Sequence, residues 1–157
     1  SYAYLSRVDA LLTAEGVPGA AILREARGLT EEEKNALLGA FDKRDGRTVL
    51  LAVLGGAFAE GIDLAGERLQ NVIVVSTGLP QMDARVRAMR RYHDENGADG
   101  AFLCMTLPGM VRVIQPAGRL IRTQSDHGAL LLIDSRYQRG AERALLSGTL
   151  IGDALSG

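Results

Sequence analysis

Three short apolar runs constrain this chain more than anything else in it. Thr48-Val49-Leu50-Leu51-Ala52-Val53-Leu54, Asn71-Val72-Ile73-Val74-Val75-Ser76 and Gly128-Ala129-Leu130-Leu131-Leu132-Ile133-Asp134 carry apolar residues at consecutive positions rather than at alternate ones. A strand of that kind is apolar on both faces, as in parallel sheets covered by helices on each side. Segments with helical spacing separate the runs. Tyr4, Leu5, Val8, Leu11 and Leu12 predict a helix over 2–15, stopped by Gly16-Val17-Pro18-Gly19. Ala20 to Leu23 reads as a further short strand. Thr30-Glu31-Glu32-Glu33 has the form of a capping box and opens a helix that ends near Asp45-Gly46. Further helices are expected from about Gln81 to Glu95 and from near Pro108 through Arg122, with a helical tail after Arg139 that loses its pattern by Gly148. Strands alternating with helices give an α/β fold: a three-layer arrangement with a mostly parallel sheet and helices on both faces.

Composition narrows the function classes. With 157 residues the chain can bury one real core. A formal net charge of −1 argues against a free-standing, strongly basic nucleic-acid binder, although it leaves room for a basic groove on one face. A single cysteine, Cys104, excludes an internal disulfide and any cysteine-rich metal or iron–sulfur site made by this chain alone. Cys104 reads as a small buried apolar side chain in a reducing, cytoplasmic compartment. No apolar run approaches the ~20 residues of a membrane span. The chain starts at Ser1 without a methionine, which fits a piece of a longer protein.

In open α/β sheets, sites form beyond the carboxyl ends of the strands. Three polar clusters fall there: Gly55 to Asp63, Thr77-Gly78-Leu79-Pro80, and Asp134-Ser135-Arg136. Gly55-Gly56 would let backbone approach a ligand closely, and Glu60 and Asp63 add carboxylates to an otherwise apolar loop. Such loops are more often tight turns with a solvated acidic edge. No Gly-x4-Gly-Lys-Ser/Thr phosphate loop occurs. His93 and His127 lie in polar contexts that do not suggest catalysis. Arg85, Arg87, Arg90 and Arg91 are spread around their helix, as a solvated face would be.

The segment Gln115-Pro116-Ala117-Gly118-Arg119-Leu120-Ile121-Arg122 carries the sharpest chemistry. On a continuous helix Gln115, Arg119 and Arg122 would fall within roughly 60° of one another, given about 100° per residue. Guanidiniums stay charged at physiological pH and bind phosphate oxygens in bidentate fashion, so the stripe suits a polyphosphate losing its terminal phosphoryl group. Pro116 qualifies this geometry. If the helix begins there, Gln115 lies outside it and the stripe reduces to two arginines.

Together these segments resemble the XPD/DinG-type superfamily 2 DNA helicases. Gly55-Gly56-Ala57-Phe58-Ala59-Glu60-Gly61-Ile62-Asp63-Leu64 resembles their motif V. Gln115 to Arg122 resembles motif VI, and Thr123 through Gly128 into Leu131-Leu132-Ile133-Asp134-Ser135-Arg136-Tyr137 continues the likeness. Ser1-Tyr2 is similar to the end of motif IV, and Val75-Ser76-Thr77-Gly78-Leu79-Pro80-Gln81 is also family-like. The resemblance implies the second RecA-like motor domain over residues 1–139 (motif V at 55–64, motif VI at 115–122), with 140–157 a C-terminal tail. It implies ATP-driven 5′→3′ movement on single-stranded or forked DNA. By the same resemblance Arg122 is the arginine finger, Arg119 a second γ-phosphate contact and Gln115 a positioning group. Glu60, Gly61 and Asp63 then couple the nucleotide cleft to DNA, and Ser1, Tyr2 and Thr77 touch the strand. ATP and magnesium would be held mainly by a first motor domain, which also carries the Walker motifs and any iron–sulfur cysteines. This sequence alone is therefore expected to be catalytically silent. Two other readings remain open: a stand-alone RecA-like interaction module, and an unrelated α/β binder in which Glu60 and Asp63 hold a sugar or a metal.

Overall fold

A computed structural model describes residues 1–42, 46–58, 69–118, 120 and 127–149. The chain forms two compact units, Ser1–Ile62 and Asp63–Gly157.

In the first unit, α1 (Tyr2–Glu15) is followed by β1 (Ala20–Arg24), α2 (Glu31–Asp42) and β2 (Arg47–Leu51). β1 and β2 pair in parallel, with Ala20 opposite Arg47 and Arg24 opposite Leu51. Parallel neighbours need a crossover between them, and α2 is that crossover. Its start is a full capping box. The Glu33 backbone N–H donates to the Thr30 hydroxyl at 3.2 Å, and the Thr30 N–H donates to the Glu33 carboxylate at 2.8 Å. Three glutamates in its first turn oppose the positive end of the helix dipole. Gly16 closes α1 at φ +73°, a left-handed conformation open to glycine, and donates its N–H to the Leu12 carbonyl.

In the second unit, β3 (Asn71–Val75) pairs in parallel with β4 (Ala129–Ile133), Asn71 opposite Ala129 and Val75 opposite Ile133. Between them run α3 (Ala84–Glu95), a π turn (Phe102–Thr106) and α4 (Leu107–Ala117). After β4 come a 3₁₀ turn (Ser135–Gln138) and α5 (Gly140–Thr149). The core here is built on Val74, Met110, Val113, Ala117 and Leu146, all buried. The expected α/β fold with parallel strands is what forms. Among the described residues, no helix is long and apolar enough to cross a membrane.

Two expectations change. The helix placed near Pro108 starts earlier: the helical path begins at Gly100 and widens into a π turn before continuing as α4. Pro108 has no N–H, and its ring presses on the carbonyl one turn back. The wider turn relieves that pressure, with the Leu107 N–H reaching back to the Phe102 carbonyl. At the other end α4 stops at Ala117, where the Gly118 N–H donates to the Ile114 carbonyl. The strands of the second unit also differ from the doubly covered pattern. Val74 is buried, whereas Ile73, Val75, Leu131 and Ile133 keep 38–63 % of their surface exposed on the alternate face.

α4 packs closely on the chain leaving β3. A Cβ on Gly109 would lie 2.6 Å from the Thr77 backbone carbonyl oxygen, a contact no side-chain rotation can relieve. Gly109→Ala should therefore destabilise the protein by about 1–3 kcal/mol through overpacking. Gly39→Ala, in α2 with nothing within 4 Å, should stabilise it by about 0.5–1 kcal/mol. Urea unfolding midpoints of the two variants should move in opposite directions.

Candidate nucleotide and nucleic-acid site

In the first unit the loop after β2 is held by a residue that no local sequence pattern marks. Glu25 follows β1 and is 2 % exposed. Its carboxylate accepts from the Val53 N–H at 2.8 Å, the Ala57 N–H at 2.7 Å and the Tyr2 hydroxyl at 2.7 Å. Gly56 closes a turn by donating to the Val53 carbonyl at 2.8 Å. A Cβ on Gly56 would collide with the Glu25 carboxylate. The glycine at position 56 does permit a close approach, and the group that approaches is a carboxylate of the chain itself.

Tyr2 and Ser1 open α1. The Ser1 hydroxyl caps the helix by accepting from the Tyr4 N–H at 3.4 Å. The Tyr2 hydroxyl is committed to Glu25, and the Arg27 guanidinium sits 4.7 Å from its ring centroid. The bond to Glu25 is the main cause that raises the Tyr2 phenol above its usual pKa, with burial second. Neither residue offers a fully free side chain, and α1 has no acidic residue of its own in its first turn.

At the carboxyl end of β3 and β4 a second polar cluster forms. Asp134 accepts from Arg136 Nε at 2.9 Å, Arg136 Nη2 at 2.7 Å and the Arg136 backbone N–H at 2.9 Å. The guanidinium bonds first, and the backbone bond second, hold the Asp134 carboxyl down to about 2. Arg136 Nη2 also donates to the Ser76 hydroxyl at 3.3 Å. The Tyr137 hydroxyl donates to the Ser76 carbonyl, and burial pushes that phenol up to about 12. These contacts hold Ser76 at φ +73°, a backbone conformation side chains seldom adopt. Just beyond it, Arg112 donates to the Gly78 carbonyl at 3.2 Å. Thr77, expected to face a DNA strand, is completely buried, and its hydroxyl has no hydrogen-bond partner among the described residues.

Gln115 is exposed in the last turn of α4. Pro116 lies after it within the same helix, so Gln115 is helical after all. α4 ends at Ala117, and the Leu120 N–H donates to the Ala117 carbonyl. Arg119 and Arg122, together with Glu60, Gly61 and Asp63, lie outside the described residues. On α3 the arginines 85, 87, 90 and 91 are all exposed, and two have local partners: Arg87 donates to the Met82 carbonyl, and Arg90 lies 3.7 Å from Asp94. That matches a solvated face.

The Asp134–Arg136 pairing fixes a pH dependence. Asp134 has a folded pKa depressed below its unfolded value, so its contribution to stability is present above the unfolded value of about 3.9 and is lost as pH falls toward 2. Asp134→Asn should lower the urea midpoint by a constant amount at pH 5–7, and the gap to the parent protein should close between about pH 4 and pH 2.

Comparison with known proteins agrees with the fold. The helicase C-terminal domain family matches residues 1–150. A "Probable ATP-dependent helicase" of Methanocaldococcus jannaschii is 31% identical over 150 residues, covering 87% of this chain and 21% of that protein. The regulator of telomere elongation helicase 1 homolog of Anopheles gambiae is 37% identical over 107 residues, covering 63% of this chain and 11% of that protein. The ATP-dependent DNA helicase DinG of Photobacterium profundum is 32% identical over 93 residues, covering 58% and 13%. An apo XPD structure superposes with a TM-score of 0.68 at 20% identity, covering 94% of this chain and 29% of that one, which is a likeness of fold. The chain thus spans between about a tenth and a fifth of the length of these helicase relatives. A match over nearly the whole sequence, on a parallel α/β fold with its loops at the strand ends, makes this chain a member of the helicase C-terminal domain family.

Proposed function

We propose that the chain is the second motor domain of a 5′→3′ ATP-dependent DNA helicase, and that it completes an ATP site whose other half belongs to a first motor domain. The observation that carries this is the family match over residues 1–150, which contains the motif V and motif VI patterns in order. In this reading Arg122 is the arginine finger, stabilising charge on the transferring phosphoryl group. Arg119 contacts the γ-phosphate, and Gln115, exposed at the end of α4, positions nucleotide or water. Glu60, Gly61 and Asp63 relay the state of the nucleotide to DNA. No phosphate-loop sequence is present in these 157 residues, so ATP and magnesium are held chiefly by the first motor domain. The single cysteine fits a reducing, cytoplasmic setting.

The DNA partner is a single strand or the single-stranded arm of a fork. The N-terminal turn of α1 supports a phosphate contact there, through backbone N–H groups more than through the Ser1 and Tyr2 side chains. Thr77 acts from within: its buried side chain and its carbonyl fix the path of the chain from Ser76 to Leu79 against Gly109. Binding of this kind follows the backbone and shows little base preference.

In the full-length protein, Arg122→Ala should lower ATP turnover by about 10³–10⁵-fold while ATP still binds. Steady-state hydrolysis and nucleotide titration of the same preparation check this, and unchanged turnover would remove Arg122 from the role. The 157-residue chain alone should hydrolyse no ATP. Turnover by it would overturn the two-domain site, whereas a full-length protein that binds DNA without any ATPase would favour an interaction module.

A further inference from the structure

Glu25 stands where an unpaired charge would be costly. Its carboxylate is buried, and three donors from two separate places in the chain converge on it. One is the Tyr2 hydroxyl in the first turn of α1. The other two are the Val53 and Ala57 N–H groups of the loop that leads toward Glu60. A carboxylate has acceptor sites for all three, and its two oxygens divide them: Oε1 takes Tyr2 and Ala57, and Oε2 takes Val53. Gly56 has no side chain to hold the carboxylate off. The strand behind it is also anchored, since the Glu25 N–H donates to the Leu51 carbonyl at 2.8 Å. Glu25 is therefore a rigid bracket with one arm on the turn that opens α1 and two arms on the glycine loop.

We propose that Glu25 is a positioning residue that couples the two places: DNA held at the N-terminal turn of α1 sets the glycine loop, Val53 to Phe58, through the Tyr2–Glu25 bond, and with it the response of ATP turnover to DNA. The proposal rests on the motor-domain reading above. A glutamine at position 25 has nearly the same size but presents an NH₂ where one oxygen stood, so one loop N–H would face a donor in place of an acceptor. A phenylalanine at position 2 removes only the hydroxyl arm.

The test is ATP turnover by the full-length protein with and without a single-stranded oligodeoxythymidine, for the parent, Glu25→Gln, Tyr2→Phe and the double variant, with urea unfolding run in parallel. Glu25→Gln should reduce the stimulation by DNA roughly tenfold, a usual size for coupling between sites. Its DNA-free turnover should stay within about twofold of the parent, since its donors, Tyr2, Val53 and Ala57, are not among the residues assigned to the nucleotide. Tyr2→Phe should reduce stimulation in the same direction, and the double variant should be no worse than Glu25→Gln, because both break one linkage. Undiminished stimulation in both single variants, additive losses, or an equal fall of DNA-free and DNA-stimulated turnover would each overturn the proposal. If Glu25→Gln fails to fold, the stimulation measured for Tyr2→Phe decides. Arg122→Ala in the same assay separates the two levels. Normal turnover there removes the motor reading, whereas lost turnover beside unaffected Glu25 and Tyr2 variants removes the coupling alone.

Discussion

Everything in this fold follows from parallel strand pairing. Two parallel strands cannot be joined by a tight turn, so each pair must be bridged by a helical crossover. That bridge returns the chain to the same end of the sheet and leaves the loops that follow the strands gathered at the carboxyl edge. In the first unit the crossover is α2, and the gathered segments are Glu25–Arg27 and Val53–Phe58. In the second unit the crossover contains α3 and α4, and the gathered segments are Ser76–Leu79 and Asp134–Tyr137. The polar networks of both units sit at these edges because the topology delivers them there.

Much of this was legible in the sequence. The apolar runs located β2, β3 and β4, the Thr30–Glu33 pattern located the start of α2, and Gly16 located the end of α1, because each rests on interactions among residues near one another in the chain. The residues that resisted reading depend on distant partners. Nothing local marks Glu25 as more than a charged residue after a short strand, since its donors lie 23 to 32 positions away. Pro108 reads as the first residue of a helix. Only the π turn before it shows that a proline can sit inside a helical path. Tyr137 looks like the end of a motif, yet it holds Ser76 from 61 positions away.

The candidate site was legible as chemistry and less so as shape. Two arginines and a glutamine in the order of motif VI suit a phosphate chemically, and they lie within the span that the helicase C-terminal domain family matches. α4 ends at Ala117, and Arg119 and Arg122 lie outside the described residues.

The π turn at Phe102–Thr106 has a further consequence, one of phase. A wider turn holds an additional residue without lengthening the helix by a normal step, so everything after it is rotated relative to a regular α-helix. One residue corresponds to about 100° of rotation. Gly109, which must face Thr77, and Gln115, which is exposed, both lie downstream of that offset. Were the same residues to relax into an ordinary helix, α4 would turn by about 100°, more than a quarter of a revolution, and carry Gly109 away from the carbonyl it fits, whereas loss of one residue together with the π turn would leave α4 in its present phase. The width of this short turn, more than the identity of its side chains, sets the face that Gly109 presents to Thr77.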